Sequence, residues 1–174
     1  NGSILKYNFL WHFNIFAMKA TDQPFVAELD QLLHKLTLST GYADSRTLQK
    51  HLKFVFQVIR ERVSFEESIK FIDLLPISFK ALFLDEWHIH TTSPKPLQGM
   101  DDFAQAIVQA SGHMIASPTE ARQLLRQVFT FFGQFASPDQ MKEGLAFLPQ
   151  EFHSLLMNDP SLKYSYSDTC IWLS

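Results

Sequence analysis

An all-α fold, two tandem copies of a roughly four-helix unit packed together, is what three features of this sequence predict. Apolar residues recur at helical steps, as in Leu48, Leu52, Val55, Ile59 and Val63. Helix-entry signatures stand before such runs, at Ser64-Phe65-Glu66-Glu67, Ser117-Pro118-Thr119-Glu120 and Ser137-Pro138-Asp139-Gln140. An ungapped offset of 73 residues lays Leu75-Pro76 on Leu148-Pro149, and with it Leu52 on Leu125, Val55 on Val128, Phe56 on Phe129, Ser64 on Ser137, Phe79 on Phe152 and Leu82 on Leu155. The matches fall on apolar and capping positions while polar positions vary, the pattern of a duplicated supersecondary unit.

The division that follows is an N-terminal extension (1–22), a first repeat (23–85), a linker (86–99), a second repeat (100–157) and a C-terminal tail (158–174). In the extension Tyr7, Phe9, Trp11, Phe13 and Ile15 alternate with other residues, as do Tyr164 and Tyr166 in the tail. That spacing suits short extended segments, either a strand pair between the termini or irregular tails packed on the helices. Helices are expected near 23–38, 44–62, 65–73 and 76–85, then 100–111, 118–134, 138–146 and 149–157. The first has an apolar face of Phe25, Leu29, Leu32, Leu33 and Leu36, and Gly41 supplies its C-terminal stop. The second carries the stripe named above. Ser64 caps the third, its side chain accepting from the N3 amide while Glu67 reaches back to the cap's own amide. Pro76 and Pro149 break the apolar runs and restart them as short helices, because proline lacks the N–H a helix interior needs but not its first turn. Phe79 and Phe152 should point inward, with Leu82 and Leu155 on the same faces. Phe103, Ile107, Val108 and Ala110 form the fifth helix's apolar face before Gly112. Pro94 and Pro96 mark the linker.

Composition narrows the function classes. The 174 residues include 46% apolar and 19% charged side chains, a globular balance, and 17 Phe promise an aromatic core. A net charge of −3 gives no general attraction to nucleic acid or anionic lipid. Cys170 alone can form neither an internal disulfide nor a paired-cysteine zinc site, which fits a cytoplasmic setting. The most apolar stretch, Ile4 to Met18, is interrupted by Lys6, Asn8, His12 and Asn14, so no membrane span is expected.

The segment Leu48 to Trp87 resembles a bacterial family known as domain of unknown function 2267. The likeness rests on Ile59-Arg60-Glu61-Arg62-Val63, on Ser64 with Glu66 and Glu67, and on Leu74-Leu75-Pro76. Phe79-Lys80-Ala81-Leu82-Phe83, Asp85-Glu86-Trp87 and, beyond the linker, Asp102-Phe103 complete it. It extends over roughly 23–157. Glu86 stands where family members typically have Gly, and Trp87 has no counterpart in the second copy, where it maps to Pro160. The resemblance implies a tandem all-helical fold and a bacterial source, and transfers no catalytic residue.

Chemistry-bearing clusters are few. Asp85-Glu86-Trp87-His88-Ile89-His90 sets two imidazoles on one side of an extended segment, so His88 and His90 are the candidate metal ligands. The competing reading is a solvated linker held to the core by Trp87. His51 aligns with Leu124 and should be partly buried and hydrogen-bonded, whereas His153 aligns with Lys80 at a surface position. Lys50, Lys53, Arg60 and Arg62 form a basic row on one helix, echoed by Arg122 and Arg126; surface pairing with nearby Glu61, Glu66 and Glu67 explains it better than phosphate binding. No Gly-rich phosphate loop, nucleophile elbow or His-Glu-x-x-His is present. What remains foremost is a non-catalytic helical module that binds another protein or itself, with Trp11, Phe9, Phe13, Trp172 and Ile171 as further sticky candidates. A small-molecule or metal site around Trp87, His88 and His90 is the alternative.

Overall fold

A computed structural model describes residues 23–85, 87, 96–148 and 150. Among them are seven α-helices and no strand: α1 (Gln23–Thr40), α2 (Ser45–Arg62), α3 (Phe65–Asp73), α4 (Ile77–Leu84), α5 (Met100–Ala110), α6 (Pro118–Phe132) and α7 (Pro138–Gly144). Apart from Gln150, the expected eighth helix, with Pro149, Phe152, His153 and Leu155, lies outside the described residues, as do the extended segments expected at the termini.

Local chemistry sets most boundaries. Ser64 and Ser137 each close a reciprocal capping box, with Glu67 and Gln140 respectively. Asp44 caps α2 and Ser117 caps α6, each side chain accepting from the amide three residues on. Gly41 takes a left-handed φ of 73° and donates its N–H to the Thr37 carbonyl at 3.0 Å, closing α1. After α5 the chain needs two left-handed residues in succession, Gly112 and His113. Pro76 occupies the cap of α4 rather than its first turn, its carbonyl accepting from the amides of Phe79 and Lys80. α7 stops two residues short of the expected end, at Gly144, the poorest helix former after proline.

The core is one continuous aromatic and aliphatic cluster. All five residues of the α2 stripe are buried, and Phe56, Val58 and His51 widen it. α2 is the central element, packed by α1, α3, α4 and α5; α6 packs on α5 and α1, and α3 crosses α7. Phe79 and Leu82 are buried as expected, and Leu75 and Leu148 are both inside. Phe25 is not: it is 49% exposed, because the first turn of α1, residues 24–27, lies outside the packed stack. Contact with α4 begins at Glu28, whose carboxylate accepts from Ser78 Oγ at 2.8 Å. Ala110 is only half-buried, whereas Met100, Ala104 and Ala106 join the buried face of α5.

Candidate interaction surface

α4 and the chain leaving it are tied down by the basic row of α2. Arg60 Nη1 donates to the carbonyls of Phe83 and Asp85 at 2.6 and 2.7 Å, and its guanidinium lies over the Phe83 ring. These carbonyls belong to the C-terminal turn of α4, which lacks intrahelical donors and carries the negative end of the helix dipole. Lys53 Nζ donates to Asp85 Oδ2 at 2.6 Å, and Arg62 approaches Asp102 Oδ2 at 3.6 Å. Asp102 also accepts from the Gln98 amide at the entry to α5. Arg122 pairs with Asp101. The row does engage in surface pairing, but Asp85 and Asp102 are the partners of Lys53 and Arg62, not the expected Glu61, Glu66 or Glu67. These cations organise the fold's own helix ends.

Trp87 fixes the start of the linker. Its amide donates to the Leu84 carbonyl at 3.1 Å, and its ring packs edge-on to Phe83 and stacks on Phe65, centroids 5.6 and 5.8 Å apart. His88 and His90 lie outside the described residues. Among the described residues no group of three or more His, Cys, Asp or Glu could hold a metal ion. Trp11, Phe9, Phe13, Ile171 and Trp172 also lie outside them.

His51 is buried, 4% exposed, and its Nδ1 stands 2.8 Å from the Tyr42 hydroxyl, with the rings edge to face. Burial lowers the imidazole pKa from its ordinary value, against a weaker opposing pull from the Glu120 charge. Burial, with Glu120 adding to it, raises the Tyr42 phenol to about 12. Both groups are therefore held neutral and share one proton in this bond, the phenol O–H donating to Nδ1 or Nδ1–H donating to the phenol oxygen according to the imidazole tautomer. Because the folded imidazole resists protonation, the unfolded chain binds a proton first as pH falls through about 6.5, and stability is lost in that direction. Tyr42→Phe should cost about 1–3 kcal/mol by orphaning Nδ1, and adding His51→Leu should recover most of it. Denaturation at about pH 7.5 and about pH 5.5 checks the sign: the double variant should lose less stability between them than the native chain.

The outward side of α3 behaves differently from its core side. Ser68 and Phe71 face inward, while Phe65 and Ile69, one turn apart, are 54% and 42% exposed. With the Trp87 ring against Phe65 they form an apolar ridge, beside which Glu66 and Lys70 pair at 3.3 Å. The sequence pattern marks the Ser64 cap but, read for caps and core alone, misses this ridge. A signal was available: Phe65 and Ile69 lie on the side of the helix away from Phe71, and the aligned positions are Pro138 and Lys142. Both of those are exposed on α7. Further exposed apolar side chains are Ile77, Leu84 and Phe135.

Residues 29–155 match the family described as uncharacterized conserved protein, DUF2267. The chain belongs to that family. The family's match spans α2 to α7 and most of α1, so the α3 ridge and the Arg60 cap of α4 both lie within the DUF2267 region. No curated protein matches the chain significantly. No helix among the described residues of this DUF2267 protein is long and apolar enough to cross a membrane.

Proposed function

We propose that this DUF2267 protein is a non-catalytic helical interaction module that binds a protein surface through its outward apolar side chains. The observation that carries the reading is the α3 ridge: Phe65 and Ile69 are exposed on a helix whose aligned counterpart bears Pro138 and Lys142 at those positions. A fold of this kind does not require large apolar groups there, and contiguous exposed apolar side chains suit a partner surface. The packing also supports a duplicated unit. Exchanging residues 73 apart maps the α1–α6 contact onto α5–α2, α1–α2 onto α5–α6, and the α3–α7 crossing onto itself. Two copies paired about a pseudo-twofold axis would do the same. A bacterial, cytoplasmic setting fits the family resemblance and the cysteine usage.

The test is comparative capture from an extract of the native cell, with the full chain and its Ile69→Lys variant as baits. A protein retained by the native chain and lost from the folded variant is expected. If both baits retain the same proteins, or neither retains any, and the native chain is also monomeric, the reading fails.

A further inference from the structure

We propose that the occupant of the α3 ridge is a second copy of this chain, the two α3 helices lying antiparallel across a twofold axis near Ser68, so that Glu66 of each faces Lys70 of the other. This deepens the interaction-module reading and rests on it. Phe65 and Ile69 point outward, with the half-buried Ile72 continuing the stripe beneath them. Trp87 extends it past the helix start by stacking on Phe65. A twofold axis brings the same patch against itself, so the patch must be self-complementary in shape and charge. Antiparallel pairing at Ser68 sets Ile69 close to Ile69 of the second copy and Phe65 near its Ile72. It also lays the same flank of each helix together.

That flank carries the charges. Glu66 and Lys70 stand one turn apart, with side chains 81% and 41% exposed, and pair with each other at 3.3 Å. They are spaced equally about residue 68, so reversing the helix direction exchanges their places. Every negative group on this part of the rim then meets a positive one. Asp73, further along the same flank, is already engaged by Lys80 at 3.8 Å. α7 has no such arrangement: its exposed face carries Pro138 and Lys142, and the equivalents of Glu66 and Lys70 are Asp139 and Glu143, two acidic residues that reversal of the helix would set against like charge. The device therefore belongs to one half of the molecule. A nine-residue helix offers a small contact, so the dimer should be weak and concentration-dependent.

The experiment is sedimentation velocity of the full chain over a wide concentration range, with Glu66→Lys and Lys70→Glu made separately and then mixed. Circular dichroism and denaturation confirm that each variant is folded, as the exposure of both side chains leads one to expect. The native chain should dimerise. Each variant alone sets like charges across the axis twice and should dimerise at least about tenfold more weakly. The equimolar mixture should recover dimer, because one chain then brings two positive side chains to this flank and the other two negative ones, so both cross-axis pairs are again of opposite sign.

Monomer at every concentration for the native chain would overturn the second-copy proposal while leaving the capture test to decide the interaction reading. A native dimer unaffected by either variant would place self-association on another surface. Two weakened variants that do not recover on mixing would overturn the antiparallel register.

Discussion

Phe71→Ala is expected to cost about 3–5 kcal/mol, which is much of the stability of a chain this size. The ring is fully buried on α3 and lies 5.4–6.5 Å, centroid to centroid, from Phe56, Phe83, Phe129, Phe132 and Phe147. It joins α2, α4, α6 and the turn after α7, so truncation opens a cavity that no single helix can close by shifting. Edge-to-face ring contacts add to the lost burial. The control lies on the same helix: Phe65→Ala removes a half-exposed ring and should cost far less, about 1 kcal/mol or below. Urea denaturation of the two variants settles the order. Equal losses would mean that α3 does not sit with Phe71 inward.

The second large effect is expected at the position 73 residues beyond Phe71, which is Gly144. A Cβ built there would stand 2.6 Å from both Cγ and Cδ1 of Leu74 and 2.9 Å from Cδ2. Leu74 is itself buried, and the contact is to the branch point of its side chain, so rotating the tip does not relieve it. Gly144→Ala gains about 0.5–1 kcal/mol of helix propensity, but overpacking costs about 1–3 kcal/mol, so the net change is destabilising. Gly144→Val adds two further methyl groups and a β-branch, and should lose more. Leu74→Ala leaves a cavity alone but makes room in the double variant. The cycle of Gly144→Val with Leu74→Ala should therefore show strongly non-additive losses, the double variant being more stable than the sum of the singles predicts. Additive losses would show that α3 and α7 do not touch here.

Much of the fold was legible in the sequence because it depends on neighbours within one helical turn. A serine followed three residues later by Glu or Gln satisfies its own backbone donors wherever the rest of the chain lies, and Ser64 and Ser137 do so. The α2 stripe follows from the helical period alone, and the stop at Gly41 needs only the freedom of glycine at positive φ. Buried His51 could be anticipated from its alignment with Leu124, although its partner Tyr42 could not. The candidate metal pair, His88 and His90, was legible only as a spacing.

Burial and pairing at long range were decided by the tertiary structure. Phe25 and Leu36 share one apolar stripe, yet one is exposed and the other buried, because a stripe says which side is apolar and not how far the neighbouring helices reach. Arg60 and Lys53 find their acceptors 23–32 residues away, at the end of α4, rather than among the acidic residues nearest in sequence. Phe71 and Gly144 are aligned positions in the two halves, and their difference in size carries no meaning until α3 crosses α7. There one helix must approach closely and the other must fill the space, and close packing of a shared core permits only a complementary pair.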